Sequence, residues 1–432
     1  MRNLIKSIYI VIGMALLATN ANALPAFARR ENAACTMCHT NGSAPHLNEF
    51  GYMYRRMAFH WPGKLGDEKA DEEAMNATKH MAAGVNLAYV YGDNNPGDGS
   101  TNVIANGVNV PEVEIWPLVG GFLGNWGVWS EIDATPGTNA GGGIDLGMAD
   151  VRYAVGTPEK FFNFRGGMIA GEGFGASDQW FDDGNIPLLD RLTANKNQDT
   201  FVQPWGAMGA PELGAEVGFN LDQSHLTLGL YDGFTNLTPN AAGPLPYSET
   251  TSASTAAIAN EGDTGMRDYR IQLDQFIGEL GEITAGYYSG VTPNIDPNNS
   301  FTWLDHYAQG RLYLTSFVIP GKFDLMAGLG WSKNEFVGSS PTPQGTFEGK
   351  GGFLGAIWYV GPHLTLGARL DRYGFNDDDN SATGTSLQAS FPFDNRILIF
   401  HWNHTASALA SGPSGIVSGF NNDIGLVLRF LL

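Results

Sequence analysis

The chain has 432 residues, with 57 glycines, 12% aromatic and only 16% charged side chains, whereas about 25% charged is usual for soluble proteins. Its net charge of −20 argues against a nucleic-acid partner and favours cations. The only two cysteines lie three residues apart, so a disulfide between them would close a loop too small to stabilise a fold.

In chain order, Arg2 and Lys6 come first, then an apolar run over residues 8–18 and a small-x-small site at Ala21-Asn22-Ala23. This pattern predicts a secretory signal peptide over residues 1–23 and a mature chain starting at Leu24. The run is shorter than the roughly 20 apolar residues a spanning helix needs, and no later stretch reaches that length.

Residues 24–80 are rich in Met, His and charge and show no strand alternation. Within them stands Cys35-Thr36-Met37-Cys38-His39. C-x-x-C-H in an exported chain reads as attachment of one covalent haem c. The two sulfurs add to the two haem vinyl groups, and His39 follows at once as proximal ligand to the iron. A thiol–disulfide redox pair would need a βαβ context, and a zinc site would need a second ligand pair; neither is present.

A helix is expected from Leu47 to His60, with Phe50, Met53, Tyr54, Met57 and Trp61 on one face. Met53, Met57 or His60 are the candidate distal ligands, beside an open or water-bound site. His46 is read as facing solvent or a propionate. A unit this small has a marginal core of its own, so it is expected in or against the periplasmic opening of the barrel that follows.

Residues 81–432 read as an outer-membrane β-barrel. Period-two alternation marks sixteen strands near 83–92, 112–122, 125–134, 145–156, 161–171, 211–221, 224–233, 267–277, 281–289, 304–317, 321–333, 350–360, 363–374, 383–391, 395–405 and 418–432. Short turns such as Asp222-Gln223 alternate with long polar connections such as 172–210, 234–266 and 375–382. That alternation is the pattern of periplasmic turns and extracellular loops. No constant motif recurs every 40 to 50 residues, which argues against a propeller. The expected fold is all-β: a 16-stranded antiparallel transmembrane barrel, porin-like, carrying a small α-helical cytochrome segment. Glu131, Asp150, Arg152, Asp268, Arg270, Gln272 and Arg372 are expected to face its lumen. Asp377, Asp378 and Asp379 are expected in an acidic loop at the mouth.

The flanks of the haem motif carry a resemblance. Ala23-Leu24-Pro25-Ala26-Phe27-Ala28-Arg29 precedes it and Pro45-His46-Leu47-Asn48-Glu49-Phe50-Gly51 follows it. Together with C-x-x-C-H this resembles the fused cytochrome-porins of iron-oxidising bacteria, whose pattern reads A-x-P-x-F-A-R, C-x-x-C-H, P-x-L-x-x-F-G. The likeness covers roughly residues 23–55. It departs where Arg30-Glu31-Asn32 replace Gln-Thr-Gly and Tyr54-Arg55 replace Phe-Lys.

The resemblance implies a Gram-negative outer-membrane iron oxidase. It would take single electrons from extracellular Fe(II) and pass them to a periplasmic c-type cytochrome. Two other readings stand beside it: a conduit that exports electrons to an external acceptor, and a passive porin with a haem-bearing plug.

Overall fold

The computed structural model describes residues 26–34, 37–39, 47–65, 80–95, 102–108, 112–121, 124–135, 143–169, 212–231, 268–278, 280–293, 300–315, 322–337, 345–361, 363–375, 377–393, 396–407 and 419–431. Two short helices, α1 (Ala26–Glu31) and α2 (Glu49–Arg56), precede the strands. These are β1 (Ala82–Asn95), β2 (Asn102–Val108), β3 (Glu112–Gly121), β4 (Trp126–Thr135), β5 (Gly143–Thr157), β6 (Lys160–Ile169), β7 (Glu212–Leu221), β8 (Ser224–Tyr231) and β9 (Asp268–Phe276). They continue as β10 (Gly281–Pro293), β11 (Ser300–Thr315), β12 (Lys322–Val337), β13 (Gly345–Gly361), β14 (Leu364–Phe375), β15 (Asp377–Phe393), β16 (Arg396–Ser407) and β17 (Gly419–Leu431). Among the described residues no helix is long and apolar enough to cross a membrane.

All seventeen segments join one antiparallel sheet, and β1 pairs with β17, so the sheet closes. β2 pairs with Tyr89 to Asn94 of β1, and β3 with Ala82 to Asn86. The two are therefore one interrupted strand, and the barrel has sixteen staves. Closure leaves no sheet edge unpaired, which a wall in hydrocarbon requires.

Side-chain parity sorts the wall into two faces. Leu213, Phe219, Leu228, Leu230, Ile271, Leu273, Leu329, Leu354 and Leu370 are exposed on the outside. Asp150, Arg152, Arg165, Glu216, Arg270, Gln272, Asp274, Asp324, Arg369 and Asp371 are buried on the inside. Leaving each such apolar side chain in water forfeits about 1.5–3 kcal/mol. A belt of this size therefore needs a hydrocarbon solvent, and apolar-out with polar-in is the arrangement of a transmembrane barrel.

The sixteen expected strands are all present, with three corrections. The connection expected at 375–382 is not a loop: β14 and β15 pair almost to their junction, Gly374 with Ser381. The register then jumps to Phe375 opposite Asp377, so Asp377, Asp378 and Asp379 open β15 at an irregularity. Arg372 does not face the lumen. On β14 the odd residues Thr365, Arg369 and Asp371 are buried, and Arg372 is exposed on the other face, opposite Gly352. A single charged residue was misleading there because parity, not charge, decides the face. The helix expected over 47–60 stops at Arg56, because Ala58 and Phe59 take left-handed backbone angles (φ 54° and 60°) that fold the chain back. Among the other lumen candidates, Asp150, Arg152, Arg270 and Gln272 are buried inside, and Glu131 accepts a bond from Trp129 Nε1 (3.2 Å). The side chain of Asp268 lies outside the described residues.

Candidate haem site inside the barrel

The N-terminal segment packs on the inner wall close to the short turns. Met57 and Ala58 form one buried cluster with Ala154 of β5 and Phe161 of β6. A Cβ on Gly127 of β4 would overlap the Ala58 carbonyl, so the wall is bare where the segment presses on it. Phe27 of α1 stacks on Phe59 (4.9 Å) and on Trp129 of β4 (5.9 Å), and Tyr52 lies against Phe276 of β9 (5.8 Å).

Polar contacts complete the seat. Arg56 pairs with Asp274 of β9 at 2.6 Å, with both side chains under 10% exposed. Asn163 Nδ2 donates to the Arg56 carbonyl (3.0 Å) and Arg152 Nη1 to that of Arg55 (3.4 Å), which occupies carbonyls at the C-terminus of α2.

The haem-motif residues are held by the start of α2. Asn48 is its N-cap, and Asn48 Oδ1 accepts from Gly51 N (2.9 Å). The same residue reaches back to the motif: Asn48 N donates to the Cys38 carbonyl (2.8 Å) and Nδ2 to the Met37 carbonyl (3.0 Å). His39 and Leu47 form an antiparallel bridge. A Cβ on Gly51 would overlap the Cys38 carbonyl oxygen. The Leu-Asn-x-x-Gly spacing after the motif thus has a local physical reason: a bridge, a double-ended cap and a bare contact.

These residues fit a haem c. Cys38 and His39 are adjacent, and Nδ1 of His39 is buried with no hydrogen-bond partner. Burial pulls the imidazole down to a pKa of about 4, so it is neutral at ordinary pH, the form that ligates a metal. Cys35 and His46 lie outside the described residues.

The distal candidates have different surroundings: Met53 and Met57 share one apolar cluster, and His60 meets a wall carbonyl. Met57 is fully buried in the cluster with Ala154 and Phe161, and Met53 packs against that cluster. His60 is 3% exposed, and its Nε2 lies 2.9 Å from the Trp126 carbonyl of β4. Met57 and His60 are thus engaged by the barrel wall. Among the described residues no group of three or more His, Cys, Asp or Glu side chains could hold a metal ion.

Glu31 and Tyr54, two positions where the sequence departs from the pattern it resembles, meet each other. Tyr54 donates its hydroxyl to Glu31 (3.1 Å), and burial raises the phenol pKa well above its ordinary value. The Gly51 contact yields a prediction. Gly51→Ala must push α2 off the Cys38 carbonyl, so attachment of the haem that the motif predicts is expected to fall severalfold. Haem-linked peroxidase staining, normalised to heat-modifiable barrel on the same gel, reads this; unchanged loading would refute the clamp.

The barrel can now be set beside known proteins. No protein-family model and no curated protein matches the sequence. Solved structures do. An anion-selective porin from Comamonas acidovorans matches with a TM-score of 0.51 and 10% identity, over 82% of this chain and 98% of that one. The fold is that of a porin. The outer membrane channel DcaP of Acinetobacter baumannii (TM-score 0.48, 10% identity, 82% of this chain and 96% of that one) is also similar. So is OmpT of Vibrio cholerae (TM-score 0.46, 10% identity, 82% and 97%). At such identity the porin likeness extends to the fold alone.

Asp150, Arg152 and Arg270 were expected inside this porin-like barrel, but the charge pairs that join its distant strands were not legible in the sequence. Arg165 and Arg270 share Glu216 (2.9 and 2.7 Å), Arg369 pairs with Asp371 (2.7 Å) and Arg429 with Glu114 (2.9 Å). Pairs two apart on one strand, such as Asp150 with Arg152, have a period-two signal. Pairs across strands separated by long connections have none.

Proposed function

We propose that this chain is an outer-membrane cytochrome-porin that takes electrons from extracellular Fe(II) and delivers them to a periplasmic carrier through one covalent haem c. The observation that carries the reading is the C-x-x-C-H motif clamped by Asn48 and Gly51 onto a segment packed inside a closed transmembrane barrel. The signal-peptide pattern at residues 1–23 and the apolar outer belt support an outer-membrane location.

Cys35 and Cys38 would hold the haem and His39 would ligate it, and the haem would supply a reversible one-electron centre. The protein's own contribution is placement. The hydrocarbon layer is about 30 Å thick and insulating. The barrel wall surrounds the segment near the short turns, and the wall contacts of Met57, Ala58 and Arg56 support a fixed position for it. Neutral His39 offers a nitrogen lone pair without first losing a proton. The acidic chain, −20 overall, attracts Fe²⁺.

Anaerobic mixing of the purified protein with Fe(II) is expected to convert the haem spectrum to its reduced form. No spectral change would sink the iron-oxidase reading, and a strongly negative midpoint potential would favour export of electrons instead. The porin fold favours one second reading, a passive channel with a haem-bearing plug. Sustained planar-bilayer current from haem-loaded protein would support it.

A further inference from the structure

A groove of about 1100 Å³ lies on the outer face of the wall, from β9 to β15. The side chains that line it point outward: Leu329, Leu354 and Leu370 are 73%, 62% and 58% exposed, among the most exposed large apolar side chains described. Small residues hollow the wall between them. Gly352 stands opposite Leu329 on one side and Arg372 on the other, and Ala285 and Gly286 line the β10 edge. Left empty, a hollow of this kind forfeits dispersion contacts along its whole lining.

One end of the groove is polar. Lys350 stands between Trp331 and Gly374, and Arg372 lies one outward rung nearer the turn that joins β13 to β14. Both cations are exposed, on the same face as Leu354 and Leu370. They are diagonal neighbours across two strands, within reach of one ligand for side chains of this length. A Cβ on Gly374 would meet nothing nearer than the Lys350 carbonyl oxygen at 3.9 Å, so there is open room beside them. Asp371, the one carboxylate in the described lining, turns inward to Arg369 (2.7 Å). The side chains of β11 and of Asp377, Asp378 and Asp379 lie outside the described residues. Height along the wall also matters. Arg372 is eight residues beyond Leu364, roughly 27 Å along the strand. Strand tilt reduces that to roughly 20 Å, near the far edge of an apolar band about 25 Å tall. Tyr287 and Trp331 share the rung of Lys350, and Tyr269 Oη lies 3.3 Å from Tyr287 Oη one rung on. Such aromatic side chains mark the membrane–water interface, where headgroups lie and a cation on a lipid-facing wall costs little.

We propose that this groove binds an anionic phospholipid, with its acyl chains along Leu329, Leu354 and Leu370 and its phosphate on Lys350 and Arg372. Charge complementarity selects this occupant. A guanidinium fork and an ammonium match phosphate oxygens. A zwitterionic lipid would bring a cation of its own beside them. A second copy of the chain meeting this face by twofold symmetry would set Lys350 and Arg372 against their own kind.

Quenching of tryptophan fluorescence by brominated lipid tests the site in full chain reconstituted in phosphatidylcholine bilayers, because Trp331 lines the groove. Brominated phosphatidylglycerol is expected to quench at a low mole fraction and to saturate, whereas brominated phosphatidylcholine quenches only in proportion to its fraction. The saturating component should fall in Trp331→Phe. Lys350→Gln and Arg372→Gln should each weaken binding about fivefold, and together about 25-fold. Ala285→Phe, which fills the groove without touching either cation, should weaken it too. Heat-modifiable migration checks that each barrel is folded. Equal quenching by the two lipids, or phosphatidylglycerol binding indifferent to the double substitution, overturns the proposal. So does loss of self-association in the double variant with lipid quenching unchanged, which would make this face a contact between copies.

Discussion

Replacing Cys35 and Cys38 together with Ala is expected to abolish covalent haem. The proposed attachment is through two thioether bonds, and the chain has no other cysteine to replace them. His39 alone would leave at most a dissociable ligand, because one imidazole–iron bond does not survive denaturation. Peroxidase staining after denaturing electrophoresis reads the outcome: a strong band for wild type and none for the double variant. Staining that persists would show that the C-x-x-C-H motif is not the attachment site. Because both cysteines precede the first strand in the chain, the variant barrel should still fold, and its heat-modifiable migration should match wild type.

Arg56→Ala is the second large effect. Arg56 and Asp274 form a 2.6 Å pair that joins α2 to β9, 218 residues away in sequence. Removing the arginine leaves the Asp274 carboxylate buried on the inner wall. Breaking one side of a buried pair costs about 3–5 kcal/mol. The cost falls on docking of the segment rather than on the sheet, whose ladders do not involve Arg56. A penalty of 3 kcal/mol raises the undocked population about a hundredfold. Cleavage of the N-terminal segment by a trace protease should accelerate by a similar factor, since such cleavage tracks the open population when reclosing is fast. Asp274→Asn should accelerate it less, since an amide still accepts from Arg56. Equal cleavage rates in wild type and Arg56→Ala would show that the pair does not hold the segment.

Much of this could be read along the chain because it is local. Strands alternate with period two, so spacing alone puts Leu213, Ala215, Val217, Phe219 and Leu221 on one face, and Leu213, Phe219 and Leu221 are exposed on the outside. Tight turns such as Asp222-Gln223 mark where strands reverse, and Asp222 takes the left-handed angle such a turn needs (φ 49°). The C-x-x-C-H motif is likewise local, because thiol spacing and the adjacent imidazole are properties of five consecutive residues.

Tertiary structure decided the rest, because it turns on contacts between distant segments. Nothing around Gly127 announces that Ala58 will press on it, and nothing around Met57 or His60 says that the barrel wall will claim them. The end of α2 at Arg56 follows from the left-handed turn at Ala58 and Phe59, which fits the segment to the wall. The face of Arg372 follows from parity on β14, whose Thr365, Arg369 and Asp371 turn inward in the closed barrel. The pairing of Arg56 with Asp274, and of Arg165 and Arg270 with Glu216, follows from closure of the barrel around α2. The sequence by itself determined that this chain forms a barrel bearing a haem motif. Only closure determined where the motif sits and which charges surround it, since burial and pairing exist only once the staves and the segment share one interior.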